Sequence, residues 1–470
     1  MYAAASHGLM ATRLGQVAAA TLATLLVAAP LFTLPAPFSA LAPIAIAMLP
    51  VAIVVAFRFP FILCLIFIIF SFFRIHEAFP ALNPLRIPSL VAIPTLLVLG
   101  WHVLLSREIR AFWSRELKLL TVFFALVTVG VAFAINRPMA LTYWTQTYWK
   151  IYVMALAIAW LVKRPQDFAL AARAFIIAGS AISVVAISNK LAGVGLVEET
   201  RVTIAREMGS VLGDPNDLSL VLLFPLSFGV SFVVSRMGWL NTALGAGGAA
   251  LMIWAIICTQ SRGGLLGILT VFGVVGWRKV RSKFLLIGVG GAAALALFIA
   301  MGINKRASGG AHEEGIDESA MGRIYAWGAA WKMATSRPLT GVGLDNFVAN
   351  YFFYSDHWDG QNHAVHSTWF NVLSETGFPG FLVFVALVVV CLMSTHASGR
   401  ALQQARAPPA VQAMALALFS GLCGFAVAGT FLTQGFTWPI YILLALTAAT
   451  GRYVREEIAA SGVGAPNVRK

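Results

Sequence analysis

Charge is what this chain has least of. Asp, Glu, Lys and Arg make up 11% of its 470 residues, against 59% hydrophobic ones. With a mean hydropathy of +0.82, it carries more apolar surface than a soluble domain of this size needs. Cysteine is scarce too. Cys64, Cys258, Cys391 and Cys423 sit in or beside apolar runs without the paired spacing of a metal site. They read as small core residues rather than disulfides. The weak alternating pattern of an outer-membrane barrel is missing. Scarcely any ionisable residue lies deep inside an apolar run. Ion-coupled transporters bury carboxylates near the bilayer midplane, so this scarcity weighs against transport.

What is present is a succession of apolar runs. A helix crossing a bilayer needs about 20 apolar residues. Candidate spans fall near 15–34, 40–57, 59–74, 89–105, 118–135, 148–162, 168–189, 217–235, 239–258, 262–277, 284–303, 376–394, 410–430 and 435–451. The shorter ones at 40–57, 59–74 and 262–277 can be re-entrant or merged, giving 12–14 transmembrane helices. The fold class is therefore an all-α polytopic membrane protein. The first segment has one Arg before an apolar run, a pattern shared with signal peptides. The topology favours an uncleaved first span.

Charge sets the expected orientation. With both termini in the cytoplasm, the inner loops hold nineteen Lys and Arg against five Asp and Glu, while the outer loops are nearly neutral. Basic residues gather on the cytoplasmic side of membrane proteins. The net charge of +14 thus speaks of orientation and anionic lipid rather than of nucleic acid. The loop 304–375 then falls outside, as do 75–88, 136–149, 190–216 and the turn at Ser261-Arg262. Three regions follow: a helix bundle over 1–303, an outer catalytic loop over 304–375, and C-terminal helices with a short tail over 376–470.

The chemistry-bearing residues collect on that outer face. Arg262 stands in Thr259-Gln260-Ser261-Arg262-Gly263-Gly264, where two glycines permit a tight turn. It is either a snorkelling interfacial Arg or a clamp for a lipid diphosphate, gripped by a fixed fork of donors. Arg323 opens a helical pattern that Arg337-Pro338 ends; this segment is a surface helix or a second cation over the same anion. Thr340-Gly341-Val342-Gly343 reads as a turn. Asp345-Asn346 follows and can cap a helix, orient a histidine or bind a sugar hydroxyl.

His366 titrates near ~6.5 when unperturbed, so it can take a proton from a hydroxyl at neutral pH. Its neighbours His357 and His363 do not form a familiar metal-ligand frame with it. Glu375 can support an imidazolium, contact sugar or cap a helix. Asp214-Pro215-Asn216-Asp217 reads mainly as a helix start, with Arg201 and Arg206 just upstream. The aromatic run Tyr143 to Lys150 reads as an interfacial belt that can also line an acceptor groove.

Taken in order, Ser261-Arg262-Gly263-Gly264, Gly322-Arg323 with Trp327, Pro338-Leu339-Thr340-Gly341-Val342-Gly343, and His366-Ser367 with Glu375-Thr376-Gly377 and Gly380 resemble the O-antigen ligase and O-antigen polymerase superfamily. The resemblance spans roughly 190 to 395. It implies a C-type glycosyltransferase fold with one large periplasmic loop containing interfacial helices, in a bacterial inner membrane. It also implies a glycan donor on undecaprenyl diphosphate, used at the periplasmic face without metal or nucleotide. Arg262 and Arg323 match the family's diphosphate-binding arginines, with Arg206 a further candidate. His366 matches the catalytic histidine, and Arg201, Asp345, Glu375 and Ser367 are candidate supports. Ser367 stands where many members have Asn. The Asp214-Pro215-Asn216-Asp217 motif resembles a subgroup of O-glycosylation ligases associated with exosortase systems. The implied acceptor is lipid A-core, with another glycan or a protein hydroxyl as alternatives. A flippase for lipid-linked sugars is the non-enzymatic alternative; it needs a polar path through the bilayer, which the apolar spans do not clearly supply.

Overall fold

The computed structural model describes residues 42–300, 312–313, 316–358 and 360–458. The expected span at 15–34, residues 304–311 of the long loop, Arg13, Arg469 and Lys470 lie outside the described residues. Nearly everything else is helix. The strands are two-residue pairs, notably β1 (Leu196–Val197) antiparallel to β2 (Arg201–Val202). Eight described helices are long and apolar enough to cross a membrane, or nine when one bent pair is counted as a span.

The chain divides into two compact units, up to Phe112 and from Trp113 onward. In the first, α1 (Ala42–Arg58) and α2 (Pro60–Phe72) meet at a 102° bend, and α3 (Ile87–Gly100) runs on into a π-helical turn. Pro60 accounts for the bend: it cannot continue the backbone ladder of the preceding helix.

The second unit carries every candidate site residue. Its helices are α4 (Arg115–Phe133), α5 (Trp149–Leu161), α6 (Pro165–Ala192), α7 (Pro215–Val234), α8 (Trp239–Thr259), α9 (Arg262–Lys279), α10 (Lys283–Ala300), α11 (Glu318–Ser336), α12 (Phe347–Tyr354), α13 (Thr368–Gln404), α14 (Pro409–Ala428) and α15 (Trp438–Tyr453). At its centre α7 packs on α6, α8, α9 and α14. Leu, Phe, Val and Ser occur on every side of it, and nearly all are buried. A helix apolar all round belongs inside a bundle. Helix α9 is as long as a span but carries three cations, Arg262 at its start and Arg278 and Lys279 at its end.

The described part of the long 304–375 loop is mostly structured. The helix expected after Arg323 forms as α11 and stops at Ser336, just before Arg337-Pro338. The apolar run expected at 376–394 is preceded by an extra helical stretch. α13 begins at Thr368 but breaks at Gly377, whose φ is +69°. The stretch Thr368–Thr376 therefore belongs to the loop's architecture, and the long apolar helix starts beyond the break.

That break is built by the Pro338–Gly343 turn. Phe378 N–H donates to the Pro338 carbonyl at 2.9 Å, and Val342 N–H to the Ser374 carbonyl at 2.8 Å. A Cβ on Gly377 would lie 2.5 Å from the Pro338 oxygen; one on Gly341, 2.3 Å from the Ser374 oxygen. Only glycine tolerates both the left-handed backbone and this approach. The same turn ties down the end of α4: Val342 accepts from Ile135 N–H, and Asn346 Oδ1 accepts from Asn136 N–H.

Candidate functional site

Three helix starts frame the site. Asp214 caps α7, accepting from the Asn216 and Asp217 amides at 2.7 and 3.1 Å, with Pro215 in the first turn. Ser261 caps α9 through the Gly264 amide at 3.2 Å, and Ser367 caps α13 through the Phe370 amide at 3.5 Å. Each carries the positive end of a helix dipole, surroundings suited to an anion.

The turn before Arg262 is not made by its glycines. Gln260 takes the left-handed conformation, φ 52°, and Ser261 begins the helix. Gly263 and Gly264 lie inside α9 and are buried. A Cβ on Gly264 would meet the Ser219 side chain of α7 at 2.9 Å. These glycines let α9 approach α7, which fixes where Arg262 emerges.

The loop between α14 and α15 joins this corner to the other arginine. A Cβ on Gly263 would touch Leu432 and Phe431 at 3.5 Å. The Arg323 guanidinium lies over the Phe431 ring, 5.9 Å from its centre. Trp327, one turn further along α11, stacks on Phe370 at 5.4 Å and donates to the Val365 carbonyl at 3.1 Å. Gly263, next to Arg262, and the Arg323 guanidinium thus both meet one short loop, and Trp327 ties α11 to the segment that carries His366.

His366 is mostly shielded from solvent. Its backbone is left-handed, φ 45°, and its flanks are pinned: Val365 by Trp327, Thr368 by the Gly429 and Leu432 carbonyls at 2.7 and 2.6 Å. Non-glycine residues held in this conformation cost of order 1–3 kcal/mol and cluster at functional sites. Burial holds the imidazole below its ordinary pKa. Asp214 pulls the value up, and Arg323, His363 and Arg201 push it down. Those four groups therefore share a neighbourhood with His366.

The structure separates Arg201 from Arg206. Arg201 is buried, 5% exposed, at the start of β2. Its Nε donates to the Thr259 carbonyl at 3.1 Å, and its terminal nitrogens reach Asn216 Oδ1 at 2.9 Å and Glu198 at 3.3 Å. Arg206 sits on an exposed turn and donates to the Gly213 carbonyl at 3.2 Å. Arg201, rather than Arg206, is the arginine in the field of His366.

Asp345 and Glu375 lie in an adjoining cavity of about 150 Å³, lined also by Tyr143, Asn371, Thr433 and Phe436. Glu375 is 4% exposed and accepts from the Asp345 and Phe347 amides at 2.8 and 3.3 Å. It supplies the cap of α12, since the Asn346 side chain makes no capping bond. Asp345 has a left-handed backbone, φ 59°, and burial raises its carboxyl pKa. Of the aromatic run, Tyr143 lines this cavity while Tyr148 is core, within 3.4 Å of the Tyr441 hydroxyl.

Sequence reasoning took Asp214-Pro215-Asn216-Asp217 mainly as a helix start. It is also a hub: Asp214 acts on His366, Asn216 holds Arg201, and Asp217 accepts from Gln434 at 2.7 Å. Three polar residues at one helix start, where a single cap suffices, were the available signal. Gln434 gave none. Among the described residues no three His, Cys, Asp or Glu are grouped as metal ligands would be.

The bundle defines a polytopic α-helical membrane protein. Residues 247–385 match the family model described as O-Antigen ligase. Over 181 residues the chain is 28% identical to the exopolysaccharide production protein ExoQ of Rhizobium meliloti (strain 1021), covering 35% of this chain and 40% of that relative. The matched stretch is thus less than half of the relative's length. Both matches support a likeness of this segment to the O-antigen ligase and polymerase superfamily. The matched segment contains Arg262, Arg323 and His366; Asp214 and Arg201 reach the site from outside it.

Proposed function

We propose that the protein is an inverting, metal-independent glycosyltransferase that moves a glycan from undecaprenyl diphosphate to an acceptor hydroxyl at the periplasmic face. The observation that carries this reading is the meeting of a half-buried His366, its pKa lowered by burial, with Arg323, Arg201 and Asp214, beside the corner where Arg262 emerges.

In the reaction the anomeric carbon forms a bond to the acceptor oxygen and breaks its bond to the diphosphate. The electron pair leaves with the diphosphate, and the acceptor proton passes to His366. Arg262 and Arg323 face the developing negative charge, where fixed donors lower a barrier most. The lowered pKa of His366 keeps its imidazole unprotonated before attack, and Asp214 stabilises the imidazolium afterwards. Direct attack by one hydroxyl inverts the anomeric centre. Arg201 keeps the pocket positive, while Glu375 and Asp345 shape the neighbouring cavity.

The favoured acceptor is lipid A-core, as in a ligase. The likeness to an exopolysaccharide production protein supports a second reading, a polymerase whose acceptor is another lipid-linked glycan. A deletion strain separates them: unligated long chains accumulate if a ligase is lost, single repeats on carrier lipid if a polymerase is lost. Purified protein should transfer glycan from a lipid-linked donor in EDTA. A requirement for added divalent cation would overturn the metal-independent mechanism.

A further inference from the structure

At the opposite end of α9 from Arg262 lies a second feature that glycosyl transfer does not use. A cavity of about 1680 Å³ opens between α10 and the faces of α7, α8 and α9. Small-molecule pockets run to roughly 300–1,000 Å³, so this one has room for extended chains. Its walls are Val, Leu, Ile, Ala and Gly. Helix α10 forms one side; it packs on α9, is long enough to span, and has no buried residue among those described.

The polar residues of this groove are all basic. Arg278 and Lys279 come from the last turn of α9, His396 and Arg400 from α13, and no Asp or Glu is among the lining residues. Arg278 is held in place: it stacks on Phe419, 3.9 Å from the ring centre, and donates to His396 Nδ1 at 2.7 Å. A cation serving only to orient the chain in the membrane needs no such fixing. Helix α9 has 18 residues, so its basic end is roughly 27 Å from Arg262. A diphosphate at Arg262 and Arg323 is out of reach from here.

We infer that this groove binds an anionic diacyl phospholipid, with its acyl chains between α9 and α10 and its phosphate on Arg278 and Arg400. The occupant is a lipid rather than a soluble phosphate, because the basic cluster is the mouth of a long apolar slot.

The test uses the full chain in nanodiscs of equimolar phosphatidylglycerol and phosphatidylcholine. Retained lipid is counted by native mass spectrometry. The wild type should retain phosphatidylglycerol in excess of the bath ratio. Each guanidinium near a lipid surface contributes about fivefold in affinity, so the pair Arg278→Gln and Arg400→Gln should abolish the excess. Ala293→Trp, which fills the slot, should lower retention with the bases intact, whereas Arg236→Gln, outside the groove, should change nothing. If Arg278→Gln impairs folding, the exposed Arg400→Gln alone carries the charge test. Retention at the bath ratio by the wild type, undiminished excess in the arginine variants, or displacement of the lipid by soluble glycerol phosphate would each overturn the assignment.

Discussion

Asp214, the cap of α7, supplies the negative charge that opposes the cations around His366. Its removal should therefore shift the histidine without dismantling the helix. Asn caps a helix about as well as Asp. In Asp214→Asn the His366 pKa should fall further, moving the acidic limb of the pH–rate profile to lower pH. The plateau rate should also drop, because the imidazolium loses its counter-charge. A profile identical to wild type would show that Asp214 only caps.

In the wild type, transfer should rise with pH through a limb lying below the ordinary histidine value of about 6.5, since the neutral imidazole is the base. Stability has the same sign. The folded state binds His366's proton less readily than the unfolded chain, so this contribution is lost as pH falls below about 6.5. Thermal unfolding across pH 5 to 8, compared between wild type and His366→Gln, isolates that term.

Arg262→Ala, Arg323→Ala and His366→Ala should each slow transfer by about 100- to 1,000-fold while leaving a folded membrane protein, the usual effect of losing one preorganised group. Arg201→Ala should be comparably severe, because it also uncouples the Thr259 carbonyl from Asn216. Arg206→Ala, at an exposed turn, should be mild. Equal losses at Arg201 and Arg206 would contradict the arrangement described.

Glu375→Gln should act through stability and placement. Burial pushes the Glu375 carboxyl up to about 8, so near neutral pH the change keeps the charge and instead puts an NH2 group where one of the two amide-accepting oxygens stood; a neutral hydrogen bond is worth about 0.5–1.5 kcal/mol, so a loss of about 1 kcal/mol is expected. Activity should fall together with melting temperature. An unchanged melting temperature with lost activity would point instead to direct contact with substrate.

Gly377→Ala should destabilise the protein markedly, since its Cβ has no room beside Pro338 and its φ is positive. Gly288→Ala in α10, where a Cβ meets nothing, should be neutral or slightly stabilising. Paired melting curves in detergent check the contrast.

The sequence alone determined the membrane-spanning class, most span positions and the helix after Arg323, and it singled out Arg262, Arg323 and His366 as candidates. Each depends on local composition, on the 3.6-residue period, or on a motif contiguous in the chain. Only the tertiary structure decided that Glu375 caps α12 from across the loop, that the Pro338–Gly343 turn and the Gly377 break are one device, and that Asp214 and Arg201 share the neighbourhood of His366. Those relations join residues far apart in the chain, several of them through backbone carbonyls and amides, which no side-chain pattern reveals.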